Sequence, residues 1–227
     1  MRITWLGQAG LLFETDGMKI LVDPYLSNSV ASIQPHFFRR VAVDESFLSL
    51  SPDVIVLTHD HLDHTDPETL KHYLGENTAV TVLASSNAWN KVRGLFGGIQ
   101  NNYVSFNRGT EWTEGSVKFR AVFAEHSDSH AIGVIIEAEG KTYYITGDTL
   151  YNERVFEDLP AHVDCVFLPV NGVGNNMNMA DAKRFCERIG AAVAVPMHCG
   201  LFDEKNMHDF KYEKKTVPEF FKEIVLK

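Results

Sequence analysis

The amino-acid sequence predicts an α/β fold in which two β-sheets carry helices on their outer sides. Three observations support this reading. Both halves of the chain open with strand-like runs and close with strand–helix units. The central run DVIVLT (53–58) is apolar almost throughout, as suits a strand covered on both faces. Helical stretches bearing start and stop signals follow strands in each half. With 227 residues the chain can bury a sizeable core, and we read it as a single domain over 1–227. It has no low-complexity linker, and its halves are too dissimilar to count as a sequence repeat.

In chain order, RITWLG (2–7), GLLFET (10–15) and MKILVD (18–23) read as strands. Asp16-Gly17 between the last two is a strong hairpin signal, so an antiparallel sheet opens the fold. After the 53–58 strand, DPETLKHYLG (66–75) has Asp66 placed as an N-cap, Pro67 at the first helical position and Gly75 as a stop, and so predicts a short helix. A strand AVTVLA (79–84), a short helix around SNAWNKVRGLF (86–96) and a polar Gly/Asn stretch over 97–110 follow. The second half offers strands in SVKFRAVFAE (116–125), AIGVIIEAEG (131–140), KTYYITGD (141–148) and VDCVFLPVNG (163–172). A helix over 180–189 has Asn178 and Asp181 as a capping pair and Gly190 at its end, and the strand AAVAVPMH (191–198) comes after it.

Composition narrows the function classes. The formal net charge of −9 gives a surface that repels phosphate backbones, which argues against general nucleic-acid binding. Cys165, Cys186 and Cys199 show no close-pair spacing, and MRITWLGQAG has neither the basic nor the long apolar region of a signal peptide. Both features predict a cytoplasmic protein with reduced thiols. No apolar run reaches the roughly 18 residues of a membrane span, so no membrane association is expected.

The chemistry is concentrated in Thr58-His59-Asp60-His61-Leu62-Asp63-His64, at the end of the 53–58 strand. Ionisable side chains crowded this closely are costly to desolvate, so something must compensate for them. Alternate side chains of an extended chain share a side, so His59 and His61 point the same way and can hold one metal ion at about 2.0–2.1 Å. Asp63 and His64 are adjacent, and the chain must turn to bring both inward, toward a neighbouring position. One motif thereby offers ligands to two metals. Zinc-finger spacing and the helical His-Glu-x-x-His pattern are both absent.

The motif THDHLDH resembles the His-x-His-x-Asp-His signature of the metallo-β-lactamase superfamily. Its surroundings do so as well: Asp23 in ILVDP, a His in AEHSDSH, Asp148 in ITGDT and His198 in VPMHCG. Within the superfamily the chain is similar to the small hydrolases of the L-ascorbate-6-phosphate lactonase type, on DVIVLTHDHLDH, YYITGDTLYNE and MADAKRFCERIGAAVAVPMH. The chain is shorter than that pattern and lacks its long N-terminal extension.

The resemblance implies an αββα sandwich of two mixed β-sheets packed face to face, with helices on the outer faces. It implies that His59, His61 and His126 hold a first metal, that Asp63, His64 and His198 hold a second, and that Asp148 bridges them. The cofactors expected are two divalent ions, zinc or manganese first, with iron or nickel also suited to His/Asp ligands. His126 follows a strand and is preferred over His130, which abuts the next strand and is the candidate to face substrate. Asp23 is expected to orient a ligand by hydrogen bonding and not to touch metal. Cys199 is expected to be structural, and His36, His72, His162 and His208 to be surface residues.

The activity implied is a metal-dependent hydrolase. Hydroxide from the dinuclear site attacks a small ester or lactone, such as a phosphorylated sugar lactone, and Asp63 moves protons. The alternative is a phosphodiesterase or RNA-processing nuclease of the same superfamily. Asn171 and Asn176, in the loop NGVGNNMN (171–178), are candidates to contact a small anionic substrate, and Arg39 or Arg40 in FFRR is a further source of positive charge. Homo-oligomer formation is a family expectation.

Overall fold

The computed structural model describes residues 1–97 and 100–226. In the first half, β1 (Arg2–Gly7), β2 (Gly10–Thr15) and β3 (Met18–Val22) form an antiparallel meander. Next to it, β4 (Val54–Leu57), β5 (Thr81–Ala84) and β6 (Asn102–Ser105) add in parallel. The second half repeats the scheme. The strands β7 (Glu111–Glu114), β8 (Val117–Phe123), β9 (Ile132–Ala138) and β10 (Lys141–Ile145) are antiparallel, and β11 (Cys165–Pro169) and β12 (Val193–Met197) are parallel. Among the described residues this makes two mixed six-stranded sheets, ordered β1-β2-β3-β4-β5-β6 and β12-β11-β10-β9-β8-β7.

Alternation along the strands explains why the sheets stack. On β4, Val54 and Val56 join the core between the sheets, while Ile55 and Leu57 belong to a second cluster with Leu70, Ala88 and Val92. Those last three residues come from α2 (Pro67–Leu70) and α3 (Ser86–Phe96). Across the inter-sheet core, the Phe13 ring lies edge-on to Tyr143 and Phe167, at 6.0 and 5.7 Å. Tyr144, the next residue along β10, points the other way and meets Phe185 of α4 (Met179–Ile189). Helices therefore cover both outer faces, as an αββα sandwich requires. Burying apolar side chains on both faces is the main force holding this arrangement, at roughly 25 cal/mol per Å² removed from water.

Most predicted elements appear within a few residues of their expected limits. The helix expected over 66–75 is one turn, because after Leu70 the chain passes into tighter bonds such as His72 N to Thr69 O and Tyr73 N to Leu70 O. Asp66 does cap it, accepting from Glu68 N and Thr69 N. The stretch 97–110, expected to be a polar loop, contains β6, and β7 follows it at residue 111. Both are edge strands with half-exposed polar side chains, so neither carries an apolar run. Gly98 and Ile99 lie outside the described residues. The segment between β3 and β4 holds a short helix, α1 (Ser29–Ile33), and a 3-10 turn (Glu45–Ser49), neither of which was anticipated. No helix among the described residues is long and apolar enough to cross a membrane.

Candidate metal centre

The site is built where strands end. His59 follows β4, His126 follows β8, Asp148 follows β10 and His198 follows β12, so both sheets deliver residues to one edge of the sandwich. Past β4 the chain turns on the His61 carbonyl, which accepts from His64 N (3.1 Å) and Thr65 N (2.8 Å). The Thr65 hydroxyl donates to the His59 carbonyl (2.7 Å). This turn brings His64 inward beside His59, with ring centroids 4.0 Å apart. Gly147 lets β10 deliver Asp148: its φ is +60°, and a Cβ there would stand 2.7 Å from the Ile132 carbonyl oxygen.

Among the described residues three groups of potential ligand atoms result, one of which, Asp23, His59 and His64, lies behind the other two and shares ligands with them. His59, His61, His126 and Asp148 present donors within 4.8 Å of one another, as do Asp63, His64 and His198. Asp148 reaches across both, with Oδ1 3.3 Å from His64 Nε2 and Oδ2 3.2 Å from His198 Nε2 and 4.0 Å from His126 Nε2. His61 is the exposed member of this group, while Asp63 is half-buried.

Hydrogen bonds behind the site decide which nitrogens face it. The carboxylate of Asp23, fully buried, accepts from Thr58 N (2.8 Å), from the Thr58 hydroxyl (2.5 Å) and from His64 Nδ1 (2.8 Å). Because the Thr58 hydroxyl gives its proton to Asp23, it can only accept from His59 Nδ1, 3.0 Å away. His59 Nε2 is then left with a lone pair, buried and without any partner. His64 Nε2 and His198 Nε2 face each other at 3.1 Å, so a proton or another cation must sit between or beside them. Orphaned buried acceptors and carboxylates converging on one spot are what a metal cation satisfies, so the residues present fit the group.

The electrostatics point the same way. Burial opposes charge on His64 and His198, but the carboxylates of Asp148 and Asp63 overcome it, raising His64 well above its ordinary value and His198 to about 9. Against its own burial, Asp63 is held well below the usual carboxylate range by His64 and His198, and Asp148 by His198 and His64. Burial and the neighbouring His64 keep His59 well below its ordinary value, and burial lowers His126 to about 4 against the pull of Asp148. The pocket thus takes up positive charge, as protons if not as metal.

Other expected residues fall into distinct places. His130 is exposed and outside the cavity over the site. Its backbone N–H is held by Asp128 Oδ1 (2.9 Å), which turns the side chain to solvent, so the structure does not place it to face substrate. Asn176 donates to Asp148 Oδ2 (2.8 Å) and the Asn171 amide lies 3.0 Å from His198 Nδ1. Both line the cavity, but they orient ligand residues. Cys199 is buried and belongs to neither ligand set. Arg39 binds the Tyr25 carbonyl and Arg40 pairs with Glu204, and neither lines the cavity. His36, His72, His162 and His208 are exposed.

Two participants were missed. Gln8 is buried in the β1–β2 turn, where its Nε2 donates to Asp63 Oδ2 (2.8 Å) and its carbonyl accepts from His198 N (3.0 Å). Asp128 accepts from Asp60 N (3.0 Å) and Asn87 Nδ2 (2.6 Å), tying the His-rich turn to the His126 loop. The only signal for Asp128 was its place in AEHSDSH, and Gln8 had none.

A family model described as the beta-lactamase superfamily domain matches residues 2–198. The chain belongs to that superfamily. Among its relatives, the UPF0173 protein of Pyrococcus furiosus is 31% identical over 220 residues, covering 94% of this chain and 90% of that one. The UPF0173 metal-dependent hydrolase of Staphylococcus epidermidis is 29% identical over 226 residues, covering 93% and 92%. Among solved structures, Igni18, described as a novel metallo hydrolase of Ignicoccus hospitalis, matches with a TM-score of 0.75 at 21% identity, covering 98% of this chain and 96% of that one. At that identity the last likeness speaks for the superfamily's fold alone. These findings bear on the superfamily and the UPF0173 family, and not on the lactonase type within it.

Proposed function

We propose that this chain, a metal-dependent hydrolase of the metallo-β-lactamase fold, cleaves a small ester or lactone at a site holding two divalent ions. The observation that carries the reading is the pair of ligand sets spanned by Asp148, with His59 Nε2 buried and unpartnered. In one set His59, His61 and His126 would hold an ion, in the other Asp63, His64 and His198, with Asp148 between the two. Bound there, zinc or manganese would polarise a substrate oxygen and lower the pKa of water to about 7.

The chain's own residues do the rest. Asp23 and Thr58 fix the tautomers of His64 and His59. Gln8 holds Asp63 Oδ2 and the backbone of His198. Asn176 pins Asp148. Asp63 lines the cavity as a carboxylate and is the residue proposed to carry protons during turnover, although its low pKa makes it a weak base. A cavity of about 710 Å³ opens over this floor, a size suited to a small molecule. Lys91 and Lys205 line it too, but Asp60 and the Asn171 carbonyl already hold them, so a phosphorylated sugar lactone is less well supported here than an uncharged small ester or lactone.

A nuclease role has less behind it. The chain carries a net charge of −9, and a polynucleotide needs a run of phosphate contacts. The deciding experiment compares kcat/KM for a panel of lactones and esters with that for a structured RNA precursor, in one buffer with one metal. Preference for the small substrates is expected. Preference for the RNA would overturn the proposal in favour of the nuclease.

A further inference from the structure

The floor of the cavity is polar, but its wall is not. Val30, Ile33 and Phe37 from the excursion between β3 and β4, Leu62 from the His-rich turn, Val173 from the 171–178 loop and Phe202 face the same space. Ile33 is 72% exposed and Val173 43% exposed, so two large aliphatic side chains are left to water at the mouth of a cavity that already has a reactive floor. Isolated apolar side chains on a surface need no explanation, but a cluster around one cavity does. This wall is also anchored. Phe202 packs edge-on against Phe37 (6.2 Å) and against the fully buried Tyr25 (5.6 Å).

The charged groups on this side are already engaged, and Gln34 and Asn175 are the uncharged polar side chains interspersed with the apolar ones. Lys91 pairs with Asp60 at 2.8 Å, and Lys205 donates to the Asn171 carbonyl. Asp203 accepts from Gly200 N (2.9 Å) and Lys205 N (3.1 Å). A polyhydroxylated body lying along Val30, Ile33, Phe37 and Phe202 would lose water contacts on several hydroxyls and find one side-chain amide, Gln34, in exchange, whereas a hydrocarbon body would lose nothing.

We infer that the part of the substrate remote from the reacting bond is an apolar acyl or aryl body. It lies against the wall formed by Ile33, Phe37, Val173 and Phe202, with the reacting carbonyl over the His/Asp floor. The assignment of the reacting group rests on the hydrolase reading above, while the apolar subsite is testable without turnover.

The test is calorimetric binding of a linear carboxylate series, butyrate to octanoate, to the full chain loaded with metal. The carboxylate end is constant, so differences report the tail. Affinity is expected to rise about two- to fourfold per methylene, with a negative heat-capacity change, and hexanoate should bind more tightly than gluconate. Ile33→Asp, at a position exposed enough to fold unperturbed, should flatten the series, and Val173→Asp should do so as well. A flat series in the wild type, or a series equally steep in both variants, would overturn the inference. A parallel turnover series with γ-lactones of increasing chain length separates the two proposals. Chain-length-dependent binding with no lactone turnover would leave the apolar subsite standing and remove the lactonase reading. Turnover with no chain-length dependence in binding would do the reverse.

Discussion

At single residues, the contrast between His126 and His130 is the sharpest. The two lie four positions apart in AEHSDSH, and only His126 turns inward, with a side chain 2% exposed. Replacing it removes a donor from a set that has no spare, so His126→Ala should lower bound metal by at least one equivalent, measured by elemental analysis. His130→Ala should leave metal content unchanged. The opposite pattern would mean that the first ligand set has been assigned to the wrong histidine. The raised His64 and His198 make a second prediction. At pH 7 the metal-free site holds protons on both rings, since His64 is raised well above its ordinary value and His198 to about 9, and metal must displace them, so loading should release roughly two protons. Calorimetry in buffers of different ionisation enthalpy measures that number, and the His198 share of it should be lost as pH rises through about 9. The sign for stability follows from the same shift. A raised histidine pKa stabilises the metal-free fold fully below about 6.5, and that contribution is lost as pH climbs through about 9. Chelated protein should therefore lose Tm between pH 7 and 9.5 by more than the loaded protein does.

Among elements, the strand ends carry the design. Strands β4 and β12 are buried along their whole length and β10 over its last three residues, so their polar cargo can appear only where the strand stops, and each releases a ligand residue there. Gly147 shows how tight that delivery is. Gly147→Ala would place a methyl 2.7 Å from the Ile132 carbonyl in a left-handed backbone, at an expected cost of about 2 kcal/mol or more. Thermal unfolding should show a Tm lower by several degrees, and metal content should fall because Asp148 is displaced. An unchanged Tm with full metal content would show that the β10 end tolerates rearrangement. The strand ends also explain what the sequence made readable. Apolar runs marked β1–β5 and β8–β12, and His or Asp directly after such a run marked His59, His126, Asp148 and His198. The edge strands β6 and β7 bury too little to leave a pattern, and α1 lies in a segment without helical periodicity. Gln8 was illegible for another reason: its partners Asp63 and His198 are 55 and 190 positions away, and only the stacking of the sheets brings them together.

In the molecule as a whole, two half-chains of like topology meet face to face, and the site lies where both sheets end. The first half supplies His59, His61, Asp63 and His64 with Asp23 and Gln8 behind them, and the second supplies His126, Asp148 and His198. Each of the two proposed ligand sets draws on both halves, so folding and metal binding should be linked, with the ions acting as a staple across the sandwich. This joint site, emptied and refilled, offers the most direct test. Metal-free protein titrated with zinc or manganese should regain hydrolysis of a small ester or lactone in proportion to bound metal and reach its plateau at two equivalents, and Asp148→Ala should regain almost none. Full activity in the chelated protein, or wild-type turnover by Asp148→Ala, would contradict the two-ion centre.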